Sequence, residues 1–268
     1  MTGSMQDIGH PAGHNYDIGS PHLTHLRLRN WMVSTLRDLV AEQFRTKGAV
    51  RVLEIGAGHG AFTDHLLATG AHVTMTEMSR ASADLLDERY RHNPAARVVF
   101  DPDGHAARDL GNSFDLVCAI SVLHHIPDYL AAVCEWLRVI DAGGTFASFA
   151  DPLWYPGRGR GSLLADRGAY FAWRLGRGER LAGARARLRR ARGQYEDDNV
   201  RDMVEYHVVR QGCDEQALAD LLRPEFDVVE ILPYWSTQSA VFQAAGRRLP
   251  LATDFGLVAR DRRAGSGS

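Results

Sequence analysis

The chain of 268 residues is 45% hydrophobic and 24% charged, the make-up of a soluble globular protein with room for one well-buried domain and a small insertion. A formal net charge of -2 gives no global reason to expect a nucleic-acid or membrane partner, so any basic surface must be local. The three cysteines, Cys118, Cys134 and Cys213, are far apart with no CxxC pair. They read as reduced thiols without a metal or redox role, and Cys118 and Cys134 sit in apolar contexts.

Residues 1–20 are rich in Gly, Pro and His and read as a flexible arm, with neither the apolar core nor the basic leader of a secretion signal. No apolar stretch approaches the ~20 residues of a membrane span, which makes the cytoplasm the expected location. From Pro21 the pattern changes, and Leu36, Leu39, Val40 and Phe44 recur at helical spacing until Gly48. Alternating units follow: a strand at Val50–Ile55, a helix at Ala61–Thr69 stopped by Gly70, and a strand "HVTMTE" at 72–77. Ser79 caps a helix over Arg80–Tyr90, and strands follow at 97–100 and 114–121. Pro127–Ile140 reads as a helix, the glycine pair at 143–144 as a turn, and 145–150 as a fifth strand. Strands alternating with helices predict a parallel sheet covered on both faces.

The rhythm breaks at Asp151. Residues 152–212 are too long for a simple crossover and carry "DPLWYPGRGRG", an aromatic group at Tyr170, Phe171 and Trp173, then the run "RGERLAGARARLRRAR". Regular elements resume with a helix at Asp214–Leu222 and strands at 226–232 and 255–260. The expected domain plan is an arm at 1–20, a core at 21–151 and 213–261, and an inserted helical lid at 152–212.

The stretch "VLEIGAGHGAF", Val52–Phe62, places three glycines between a first strand and a first helix, where bare backbone lets a ligand approach. Gly56, Gly58 and Ala61 fit a dinucleotide GxGxx(G/A) pattern, whereas Glu54, Gly56, Gly58 and Gly60 fit (D/E)xGxGxG. A carboxylate two residues before the first glycine is out of place in a dinucleotide strand and better suited to a cationic ligand group. Glu77, about 20 residues on, stands where ribose hydroxyls would lie in either scheme. No GK(S/T) follows, which excludes a phosphate-cradling P-loop.

In order along the chain, "LEIGAGHG", "TEMS", "FDPDG", "FDLVCAISVLHHIPD" and "AGGTFASFAD" resemble the class I S-adenosylmethionine (SAM)-dependent methyltransferases, over about Val50 to Leu257. The resemblance implies an α/β fold with a doubly wound seven-stranded sheet, mostly parallel with an antiparallel last strand. It implies SAM as cofactor and S-adenosylhomocysteine as product. Glu54, Gly56 and Gly58 would face the methionine part of SAM, Glu77 would accept the ribose hydroxyls, and Met78 would pack on the adenine. Asp103, followed by Gly104, would bond the adenine amino group, with Asp101 as its rival; backbone at Ala119 and Ile120 would line the methionine moiety. Tyr16, beside His14 in the arm, would fold over the SAM carboxylate. His59 departs from the usual pattern, which has a small or polar residue there.

Methyl transfer from a sulfonium gains much of its rate from holding the acceptor in line, with a general base helping when the acceptor is a hydroxyl, an amine or an acidic carbon. His125 and His124 follow strand four, where open α/β sheets bind ligands, and are the candidate bases; Asp151 at the end of strand five would orient a substrate or one of these histidines. Trp154, Tyr155, Tyr170, Trp173, Tyr206 and His207 are candidate acceptor contacts, and aromatics at this place suggest an apolar or planar small molecule. No metal ligand set is present. The arginine run reads as an amphipathic helix with a solvated face, answered by the acidic "YEDDNVRD". The expected function is methylation of a small-molecule acceptor in secondary metabolism, with O, N or C left open. Alternatives are RNA or protein methylation through the arginine helix, a SAM-binding regulatory or cyclase-like protein, and a nicotinamide oxidoreductase. Nucleic acid and membrane are not expected partners, and the arm could exchange between subunits of a homo-oligomer.

Overall fold

The computed structural model describes residues 20–111, 113–176, 212–246 and 248–265. Seven strands form one sheet: β1 (Arg51–Ile55), β2 (His72–Glu77), β3 (Ala96–Phe100), β4 (Phe114–Ile120), β5 (Ile140–Pro152), β6 (Phe226–Tyr234) and β7 (Asp254–Arg262). Their order is β3-β2-β1-β4-β5-β7-β6. The first five run parallel, and β7 inserts antiparallel between β5 and β6. This is the doubly wound α/β sheet that the sequence pattern predicts.

β4 lies at the centre, and all seven of its residues are buried, as an apolar run covered on both faces requires. One face packs on α1 (Pro21–Thr24), α2 (Leu26–Phe44), α3 (Thr63–Leu67) and α4 (Arg80–Tyr90), through side chains such as Leu28, Met32, Leu36, Leu66 and Leu86. The other packs on α5 (Tyr129–Leu137) and α7 (Glu215–Leu222) through Val133, Trp136, Leu218 and Leu222. Between these last two helices the chain forms α6 (Arg160–Gly176), and α8 (Ala240–Gly246) bridges β6 and β7. The buried side chains of α2 recur every three or four residues, so burying that stripe, more than intrinsic propensity, holds the helix.

Three local departures have physical reasons. Gly143 and Gly144 do not separate two elements but lie inside β5. There Ile140 pairs with Phe114 while Thr145 pairs with Leu116, so the extra residues loop out as a bulge. Cys134 is exposed on the outer side of α5, whereas Cys118 and Cys213 are buried. The third is α8, which the sequence reading passed over because its apolar Val241 and Phe242 are exposed and mark no buried stripe. The arginine run at 177–192 lies outside the described residues.

Candidate active site

A cavity of about 330 Å³ opens at the carboxyl ends of β1, β2 and β4. The glycine loop forms one wall, and each glycine there has its own reason. A Cβ at Gly56 would lie 2.8 Å from the Val122 side chain, so this glycine lets the loop close on the segment after β4. A Cβ at Gly60 would lie 2.6 Å from the Tyr90 hydroxyl, so this one serves α4. Gly58 meets nothing within 4 Å; it faces open space at φ 58°, a conformation that favours glycine. Only Gly56 and Gly58 of the three line the cavity.

Glu77 ends β2 and is held by two backbone amides. Gly58 N–H donates to its Oε2 at 2.8 Å and Ser79 N–H to its Oε1 at 2.9 Å. Its carboxylate is thus aimed into the cavity by the loop that walls it. Met78 and Gly104 face each other nearby, a Cβ on Gly104 lying 3.4 Å from Met78 Cε. The two rival aspartates both line the cavity but differ in setting. Asp101 is buried and accepts from Ala106 N–H at 3.0 Å, and burial holds its carboxyl above the usual range. Asp103 is exposed, and the His105 N–H, at 3.2 Å, lowers it. His105, itself on the cavity wall, joins Glu135 at 3.0 Å across the same end.

Glu54 is elsewhere. It is 2% exposed beneath the loop, where the Thr63 hydroxyl donates to its Oε2 at 2.6 Å, and it is not part of the cavity wall. Burial pushes its carboxyl up to about 7, and the neighbouring Asp64 and Glu77 push the same way. Ala119 and Ile120 are buried in β4, and the wall is made instead by the next two residues, Ser121 and Val122.

Beyond the cavity, at the ends of β4 and β5, lies a buried polar cluster. Asp151 is fully buried, and its Oδ1 accepts from the His124 backbone N–H at 3.1 Å and faces His124 Nδ1 at 2.8 Å. Its Oδ2 accepts from the Ser148 hydroxyl at 3.0 Å. Burial, and next the imidazole of His22, lower the His124 pKa. A neutral His124 beside an acceptor carries its proton on Nδ1, which makes Nε2 its basic nitrogen. His22, from α1, is pushed down to about 4 by burial, with Asp151 opposing. His125 is turned to the cavity, its ring 4.0 Å from that of His124. Two non-glycine residues with positive φ, Ser121 at 62° and Ala150 at 63°, stand at these same strand ends, where such strain clusters in functional sites.

The cavity therefore gathers Gly56, Gly58, Glu77, Met78, Asp101, Asp103, Gly104 and His125. His124 and Asp151 pair behind it. Trp154 is 40% exposed, Tyr155 lies under the Arg158 guanidinium at 5.4 Å, and Tyr170 is partly buried on α6. Trp173 lies on α6 with its side chain outside the described residues, as are Tyr16, Tyr206 and His207 altogether. Sequence reasoning missed His22, His105, Ser121 and Val122; the last two directly follow the strand whose end was read, and nothing local marks the others. Among the described residues no cluster could hold a metal ion, and no helix is long and apolar enough to cross a membrane.

Comparison with known proteins agrees with this geometry. Residues 53–148 match the family described as a methyltransferase domain. A 27-O-demethylrifamycin SV methyltransferase of Amycolatopsis mediterranei is 30% identical over 119 residues, 42% of this chain and 42% of that protein. A ubiquinone biosynthesis O-methyltransferase of Xanthomonas campestris is 30% identical over 112 residues, 40% of this chain and 45% of that one. The chain thus spans less than half the length of these curated relatives. Among solved structures, the N-terminal domain of EvdMO1 with SAH bound superposes with a TM-score of 0.51 at 17% identity, covering 86% of this chain and 81% of that one. An O-methyltransferase family protein from Burkholderia thailandensis gives 0.51 at 15% identity, covering 90% and 58%. Residues 53–148 thus match a methyltransferase domain, and the sheet order and the cavity at the strand ends make this chain similar to the class I SAM-dependent methyltransferases.

Proposed function

We propose that the protein transfers the methyl group of SAM to a small-molecule acceptor in secondary metabolism. The observation that carries this reading is Glu77, clamped by Gly58 N–H at 2.8 Å so that a carboxylate and an open glycine backbone share one cavity wall. Such a wall suits a ligand with vicinal hydroxyls and a neighbouring cationic group. Met78 beside Gly104 would pack on a purine, with Asp101 and Asp103 as acceptors for its amino group. Glu54 acts from beneath, tied to the helix after the loop through the Thr63 hydroxyl and standing off the cavity wall.

When bound, SAM supplies an already activated methyl on a sulfonium. The chain's own work is to orient the acceptor and, for a hydroxyl or amine, to take its proton. His124 is the candidate for this, because Asp151 fixes its Nδ1–H and leaves Nε2 as the basic nitrogen, as an orienting carboxylate does for a general base. His125 lies between this pair and the cavity and positions the acceptor. Burial keeps the His124 imidazole neutral across the physiological range, so a proton taken from the acceptor has to be passed on rather than held.

The test is to incubate the protein with methyl-labelled SAM and panels of small molecules bearing hydroxyls, amines or acidic carbons. S-adenosylhomocysteine release that depends on an acceptor, with label in that acceptor, is expected. Tight S-adenosylhomocysteine binding with no release on any panel would favour a regulatory SAM-binding protein instead.

A further inference from the structure

The glycine loop is held from outside the cavity as well as from within, and the outer hold comes from the C-terminal end of α4. The Tyr90 hydroxyl donates to Asp64 Oδ1 at 2.7 Å and reaches the Gly60 carbonyl at 3.4 Å. The Arg89 guanidinium donates to the His59 carbonyl at 2.7 Å and to Asp64 Oδ2, and it also lies over the Tyr90 ring at 5.4 Å. Asp64 is in the first turn of α3, directly after Thr63, whose hydroxyl holds Glu54. Two consecutive side chains of one helix thus bind two successive carbonyls of the loop and the acid that follows it. The third glycine of the motif is bare because the Tyr90 hydroxyl occupies the space a side chain would need. Nothing in this arrangement touches the cavity, from whose wall Arg89, Tyr90 and Asp64 are absent.

We propose that Tyr90 and Arg89, joined through Asp64, are positioning residues that set the glycine loop in its ligand-binding shape and so set the affinity for the cofactor. A loop with three glycines in five residues has a large conformational entropy to lose on ordering. Contacts that fix it beforehand remove that cost from binding. The Gly58 N–H that holds Glu77 lies one residue before the His59 carbonyl that Arg89 holds. A loosened clamp therefore also loosens the carboxylate. This inference rests on the methyltransferase reading for the identity of the ligand, but not for the mechanics of the loop.

The experiment titrates S-adenosylhomocysteine calorimetrically into wild type, Tyr90→Phe, Arg89→Ala, Arg89→Lys, Asp64→Asn and the double variant Tyr90→Phe/Asp64→Asn. Arg91→Ala, which removes a surface ion pair with Glu88 on the same helix end, is the control. Thermal midpoints and amide exchange of residues 56–62 are recorded on the same samples. Tyr90→Phe and Arg89→Ala should each weaken binding by about fivefold, the size of one net hydrogen bond. Arg89→Lys should recover part of the loss, and the control should bind as wild type. Loop amides should exchange faster in the weakened variants while midpoints stay near that of the control. The double variant should lose no more than the worse single one, because both substitutions cut the same link. Unchanged affinity, additive losses, or losses that track the midpoint would overturn the proposal. Should wild type itself not bind, the cofactor assignment fails, and loop exchange alone then decides whether the clamp exists.

Discussion

Glu77 and Asp151 are two buried acids with different tasks, and their partners tell them apart. Glu77 is held by backbone amides and faces the cavity; Asp151 is held by a histidine and a serine and faces the protein. With an acceptor in hand, Asp151→Asn should lower kcat by about 10²-fold, the lower range for general-base assistance, because an amide can present N–H to Nδ1 and so favour the wrong tautomer. Its S-adenosylhomocysteine affinity should stay within twofold of wild type, about 0.4 kcal/mol. A loss of affinity comparable to the loss of kcat would place Asp151 in the ligand site instead. At this scale the sequence was legible for placement at the strand ends, where Glu77, Met78, Gly104 and His125 line one cavity. It was not legible for Glu54. The motif places a carboxylate at the right distance from the glycines, but the Thr63 hydroxyl that turns it under the loop comes from the following helix.

β2 and α4 were read to the residue from the alternation of "HVTMTE" and the serine before Arg80. Ser79 does cap α4, its Oγ accepting from Ser82 N–H at 3.3 Å. Ser79→Ala should therefore cost about 1 kcal/mol of unfolding free energy in a urea titration. It should change S-adenosylhomocysteine affinity far less than a change at Glu77, because the Ser79 N–H that holds Glu77 is backbone and survives. Affinity falling as far as in a Glu77 variant would mean that the cap also shapes the site. Less of α1 was legible. Its four residues have no periodicity to read, yet it brings His22 to Asp151, and His25 at its end meets the Thr237 carbonyl at 2.7 Å. Such contacts depend on elements more than a hundred residues apart in sequence, and no local pattern encodes them. The bulge at Gly143–Gly144 was legible as a break in regular pairing but not as one inside a strand.

Across the whole molecule, four buried groups couple stability to pH in opposite directions. Glu54 and Asp254 are both raised to about 7 by burial, whereas His22 is lowered to about 4 and His124 is lowered too. The raised acids contribute stability below their unfolded values and lose it as pH rises through about 7. The depressed histidines contribute above 6.5 and lose it as pH falls. Between pH 4.5 and 6.5 the unfolded chain holds two protons on the histidines and the folded chain two on the acids, so their contributions cancel. Glu54→Gln removes one folded-state proton from that balance. Relative to wild type its unfolding free energy should rise with pH by about 1.4 kcal/mol per unit across this window. Parallel curves for the two proteins would show that Glu54 is ionised in the fold.

The central claim is that the cavity at the ends of β1, β2 and β4 takes SAM, with Glu77 as its anchor. The most direct measurement is a calorimetric titration of S-adenosylhomocysteine and of NAD, in parallel, into wild type and Glu77→Ala. Micromolar binding of S-adenosylhomocysteine alone, weakened more than about tenfold in the variant (about 1.4 kcal/mol), is the predicted result. Binding of NAD instead, or S-adenosylhomocysteine binding that is indifferent to Glu77, would contradict it.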